Sequence, residues 1–133
     1  MEDMSYVTIR DYPYEYTKDI TFYKKNISTI NSDKFSNLDE LINKYERIFL
    51  SIDIEGGEYP WLKSISEEKL QKFKQIGIEF HGLTGDGYGT KYSDKIKCLE
   101  KLNRSHYIFH AHGNNNGSIK NSIPDVLELT YVN

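Results

Sequence analysis

Three carboxylates crowd the end of one apolar run. In IFLSIDIEGGEY (48–59), Asp53, Glu55 and Glu58 surround a Gly-Gly pair. A second set, Glu79 and His81, closes QIGIEFHG (75–82), and a third, His110, His112 and Asn114, closes HYIFHAHG and opens the Asn run after it. Carboxylate and imidazole are the side chains that take protons, hold hydroxyl groups or ligate divalent cations near neutral pH. Buried without partners such groups are costly, so they are expected to face a ligand, a metal or water. The glycines let a backbone approach a ligand closely or turn at positive φ. No H-E-x-x-H or comparable metal spacing is present, so no metal ligands are assigned, although Asp53, Glu55, Glu79, His81, His110 and His112 have the chemistry for Mg²⁺, Mn²⁺ or Zn²⁺.

The elements that must position these groups alternate. NLDELINKY (37–45) has Leu38, Leu41, Ile42 and Tyr45 on one helical face, with Asn37 as N-cap and Glu40 at capping-box spacing. RIFLSIDI (47–54) reads as a strand apolar on both faces in its first half, as in sheets covered by helices on both sides. EYPWLKSI makes a helical turn, and SEEKLQKFKQ (66–75) begins with a Ser cap and two acidic residues. A strand over 75–81, a Gly-rich loop at 82–90, a helix over 91–104 and strands over 106–112 and 125–133 complete the series. ITFYKKNISTI (20–30) reads as one or two short strands.

This alternation predicts an α/β fold with a mostly parallel sheet. The last two strands lack a helical crossover, which predicts a C-terminal antiparallel hairpin at one edge. In such sheets ligands bind beyond the carboxyl ends of the strands, which is where all three sets lie. Trp61, Tyr107 and Phe109 are expected in the core. Cys98 shares a helix face with Leu102 and reads as a small buried hydrophobe. GDGYG (85–89) lacks phosphate-loop spacing and reads as a mobile loop.

The totals remove several classes. At 133 residues, 1–133 is expected to be a single domain, with 1–19 as an N-terminal arm. A net charge of −3 with scattered lysines offers no footprint for nucleic acid. A lone cysteine precludes an internal disulfide. Neither a membrane-length apolar run nor a signal-peptide pattern is present, so no membrane association and a cytoplasmic location are expected.

The residues also carry a resemblance. FLSIDIEGGEYPWL (49–62) resembles the LKIDIEGAEYEVL motif of FkbM-type methyltransferases. NLDELINKY is similar to that family's TLDELI helix, and IGIEFHG to its next strand. The stretch 107–133 resembles the FHxHxNN…PDVLELT ending of a related group. The likeness covers about residues 20–133 in the right order. It implies S-adenosylmethionine as cofactor and a Rossmann-like class I sheet of order 3-2-1-4-5-7-6. Strand 47–54 would be the fourth, 75–81 the fifth and the last two the sixth and seventh. It further implies Asp53 and Glu55 beside the cofactor's methyl group, and Asp53, Glu79 and His81 at the catalytic rim. Glu55, Glu58, His110, His112 and Asn114 would contact substrate, a sugar or other small hydroxylated metabolite undergoing O-methylation.

One departure bears on activity. Residues 1–19 hold no Gly-rich cofactor turn, so the sequence reads as the C-terminal half to two-thirds of the fold, a truncated sheet inactive alone. Strand 47–54 would then expose an edge, to be covered by residues 20–30, by a second copy in a homodimer, or by a partner chain. A non-catalytic binding or assembly module is the alternative, and a metal-dependent site a third reading.

Overall fold

In a computed structural model, residues 21–133 are described. The 1–19 arm lies outside them. The described elements run β1 (Asn26–Ile27), β2 (Phe35–Ser36), α1 (Asp39–Lys44), β3 (Ile48–Ile52), α2 (Glu58–Ser64), α3 (Glu67–Leu70), β4 (Phe73–Phe80), α4 (Tyr92–Asn103), β5 (Tyr107–Gly113), β6 (Ile119–Lys120), β7 (Ile123–Pro124) and β8 (Leu127–Val132). Four strands make the main sheet, in the order β3-β4-β8-β5. β3 and β4 are parallel, whereas β8 runs antiparallel to both β4 and β5. Three of the four strands therefore point the same way, and the chain is a mixed α/β fold.

Alternation along β4 explains how the sheet is buried. Ile76, Ile78 and Phe80 point to the helical side and are buried, while Gln75, Gly77 and Glu79 point away. β8 repeats the pattern with Leu129 and Tyr131 inward and Glu128 and Thr130 outward. Tyr59, Trp61 and Leu62 of α2 and Cys98 and Leu102 of α4 fill the layer beneath. Trp61 packs edge-on to Phe73, and its indole N–H donates to the Asn37 carbonyl at 3.0 Å.

Helices cover only this face among the described residues, which corrects the expectation of a strand covered on both sides. Phe49 of β3 is 63% exposed on the other face. Tyr107 and Phe109, expected in the core, are 78% and 76% exposed, because β5 is an outer strand with little packed on it. Cys98 is buried as expected, and burial raises its thiol pKa.

Several boundaries differ from the sequence pattern. The helix expected over 66–75 stops at Leu70, with Ser66 Oγ accepting from Lys69 N–H at 3.2 Å, and β4 already begins at Phe73. Asn37 is not the N-cap, which is Leu38 at φ 68°, but its side chain accepts from Asp39 N–H at 3.0 Å. The polar stretch after β5 folds into the short β6–β7 hairpin. β1 pairs in parallel with β2, and no described strand pairs with the outer edge of β3. No helix among the described residues is long and apolar enough to cross a membrane.

Candidate active site at the carboxyl ends of β3 and β4

β3 ends at Ile52, and the chain turns at once. Gly57 N–H donates to the Ile54 carbonyl at 3.1 Å, closing a turn whose central residues, Glu55 and Gly56, have φ of 53° and 95°. Positive φ at both central positions suits the glycine but is uncommon for a glutamate. The turn launches α2 and puts Glu58 underneath, where it is fully buried. Glu58 Oε2 accepts from Gly56 N–H at 2.9 Å, and Oε1 accepts from His81 N–H at 2.9 Å. The same Oε1 lies 3.2 Å from His81 Nδ1. One carboxylate thus ties the β3–α2 turn to the end of β4. Tyr59 adds a second tie, its hydroxyl donating to the His81 carbonyl at 2.6 Å.

Held on its Nδ1 side, the His81 ring aims Nε2 at three carboxylates. Nε2 lies 3.6 Å from Glu55, 3.7 Å from Asp53 and 3.9 Å from Glu79. The Glu79 oxygen that faces Nε2, Oε1, is also held by Asn114, whose amide donates to it at 2.8 Å. Asp53 has a raised pKa: burial penalises its charge, and the neighbouring Glu79 carboxylate adds to the rise. His81 acts in the opposite sense there, and Glu55 raises it further.

Asp53, Glu55, Glu58, Glu79, His81 and Asn114 are therefore brought together. His110 and His112 are not, having no hydrogen bond or ion pair with this group among the described residues. β8 stands between their strand and β4, and His112 pairs with Glu128 across it. Sequence reasoning missed Tyr88. Its ring lies 5.7 Å from that of His81 and packs on two glycines. A Cβ at Gly56 would come within 2.6 Å of Tyr88 Cβ, and one at Gly82 within 2.7 Å of Tyr88 Cδ2. The tight glycines on both sides are the only sequence trace of this aromatic.

The loop carrying Tyr88 is pinned at its base. The buried Lys95 donates to the carbonyls of Gly82 at 2.5 Å and Gly85 at 2.9 Å, and burial lowers its pKa. The Thr84 hydroxyl donates to Asp125 at 2.5 Å, which holds the Asp125 carboxyl below its usual range. Beside the cluster, on the bare face of the sheet, runs a groove of about 190 Å³ lined by Ser51, Asp53, Gly77, Glu79, Glu128 and Thr130. A larger hollow of about 400 Å³, between α2 and the start of α4, is lined by Tyr59, Lys63, Thr90 and Cys98 and includes none of the cluster residues.

A family model described as the Methyltransferase FkbM domain matches residues 13–114. The chain belongs to the FkbM methyltransferase family. Searches of curated proteins and of solved structures give no match. In this FkbM domain the groove beside Asp53 does not fit S-adenosylmethionine as a whole. The groove beside Asp53 is smaller than the roughly 300–1,000 Å³ usual for ligands of that size. Its lining is mainly carboxylate, hydroxyl and backbone, with no aromatic slot for an adenine ring.

Proposed function

We propose that this FkbM domain supplies the acceptor side of methyl transfer to a hydroxyl group of a sugar or another small hydroxylated metabolite. S-adenosylmethionine is the methyl donor the family implies. The observation that carries this reading is the Asp53–Glu79 pair beside His81 at the strand ends. A carboxylate with a raised pKa is a better proton acceptor than an ordinary one. Asp53 would take the acceptor's hydroxyl proton, Glu79 would position that hydroxyl under the hold of Asn114, and Glu55 would contact a neighbouring one. The order β3-β4-β8-β5 supports the reading, since it reproduces the 4-5-7-6 portion of a class I methyltransferase sheet. His112 shares the outer row Asp53, Glu79, Glu128, His112, about 14 Å from Asp53 at the usual strand spacing. It would touch only an acceptor longer than one sugar ring.

The test is transfer of labelled methyl from S-adenosylmethionine to a panel of mono- and disaccharides by the full chain. We expect transfer that Asp53→Asn lowers by about 100-fold or more, in line with loss of a general base. Failure to bind the donor together with no transfer to any hydroxylated acceptor would overturn the proposal.

A second reading, a non-catalytic assembly module, is favoured by the outer edge of β3, with which no described strand pairs, and by the exposed aromatics on the sheet. Sedimentation would separate the two: a strict monomer at high concentration counts against assembly.

A further inference from the structure

His81 is the polar side chain that the methyl-transfer reading leaves unexplained. Its side chain is 6% exposed, and Nδ1 is committed to Glu58. On the other side of the ring, Nε2 makes no hydrogen bond among the described residues. The carboxylate oxygens it faces stand at 3.6–3.9 Å. That is longer than the roughly 2.7–3.2 Å of an N–H···O bond. Among the described residues no Lys or Arg forms an ion pair with Asp53, Glu55 or Glu79, and the cationic partner they share there is the His81 imidazole. Three negative groups thus converge on a nearly buried nitrogen without direct contact.

We infer that Asp53, Glu79 and His81 form a binding site for a divalent transition-metal ion. One ligand atom from each lies within 4.8 Å of the others. Oxygen and nitrogen ligands sit about 2.0–2.2 Å from such ions, so an ion lodged among atoms no more than 4.8 Å apart draws them inward. Glu58 is the outer partner: a carboxylate on Nδ1–H fixes the ring and directs the Nε2 lone pair to the ion. Glu55, 3.6 Å from the same Nε2, stands ready as a fourth ligand and third oxygen. Imidazole with carboxylates favours Mn²⁺ or Zn²⁺ over the all-oxygen preference of Ca²⁺ and Mg²⁺. Because Asp53 and Glu55 face solvent, positions remain open on the ion for exchangeable oxygen ligands.

Metal binding is measured without methyl donor or acceptor, so the outcome is independent of the methyl-transfer reading. The full chain, stripped with chelator, is titrated with Zn²⁺ by calorimetry and with Mn²⁺ by electron paramagnetic resonance. One equivalent is expected to bind, and Asp53→Asn and Glu79→Gln should each weaken it at least about 10-fold. In the unaltered chain, Mn²⁺ should broaden the amide signals of Asp53, Glu79 and His81 before any others, a readout that needs no variant to fold. Dissociation constants above about 1 mM for both ions, unchanged binding in the two variants, or broadening that begins elsewhere would each overturn the site.

Discussion

A single oxygen of Glu58 meets His81 twice, accepting from its backbone N–H at 2.9 Å and facing its ring Nδ1 at 3.2 Å. The carboxylate that sets the site is therefore not one that a substrate would touch. It is buried beneath the turn, where it decides the angle of the ring and the position of the strand end.

Removing that carboxylate should cost stability as well as geometry. Glu58→Ala leaves the buried N–H groups of Gly56 and His81 without an acceptor, at about 1–3 kcal/mol each. Glu58→Gln keeps the volume and one acceptor oxygen, so it should fall between the two. Urea unfolding of the three proteins checks the ranking.

Tyr88 should depend on its two glycines. Gly56→Ala and Gly82→Ala each place a methyl group in contact with Tyr88 at a backbone φ of 95° or 64°. Each is expected to destabilise by about 1–3 kcal/mol. Loss of the ring-current shift that Tyr88 imposes on His81 would show by NMR that the aromatic has moved, and an unchanged shift would count against this packing.

Acid should loosen the loop through Asp125. Its pKa is lowered in the folded state by the Thr84 hydroxyl. A depressed folded pKa means that the stabilisation is fully present above the unfolded value, about 3.9, and is lost as pH falls through the folded one. Thr84→Val should therefore lower the melting temperature at pH 6 and make the decline between about pH 5 and pH 2 shallower. Melting curves across that range decide it; parallel curves would contradict the assignment.

The two faces of the sheet should respond differently to truncation. Phe80→Ala opens the fully buried side and should cost about 3–5 kcal/mol. Phe109→Ser, on the outer strand, should change stability by less than about 0.5 kcal/mol. Denaturant midpoints at low protein concentration provide the comparison.

Cys98 should be slow to react. Its thiol is buried against the Tyr59 carbonyl, and burial keeps it protonated. Modification by a disulfide reagent at pH 8 should be at least about 100-fold slower in native protein than in urea. Comparable rates would show that the α2–α4 layer opens readily.

What the sequence reveals here is mostly what period and position control. Strand-end placement brought Asp53, Glu79 and His81 to one rim before any coordinates, because parallel neighbours share an edge. Elsewhere the local pattern was ambiguous. Leu70 and Phe73 are spaced as a helix would space them, yet α3 stops between them and both are buried. Tyr107 and Phe109 have strand propensity and bulk, but the position of β5 at the sheet's edge leaves them exposed, and no local pattern encodes that. Spacing alone does not place β8 between β4 and β5; the family resemblance, with its 5-7-6 order, does, and that placement removes His110 and His112 from the cluster. In the sequence Glu58 is one of three strand-end carboxylates expected to face a ligand, metal or water. Its burial became evident only with the strand end above it.

The central seat of β8 has a temporal consequence. Its six residues bridge β4 and β5, which are synthesised earlier and have no direct pairing with each other. On the ribosome those two strands must wait, with their inner edges unsatisfied, until residues 127–132 have cleared the exit tunnel. Every partner of β8 is distant or separated by a hairpin, so closure of the sheet is a late event dominated by non-local contacts. Until β8 takes its place, the facing edges of β4 and β5 stay open to wrong pairing.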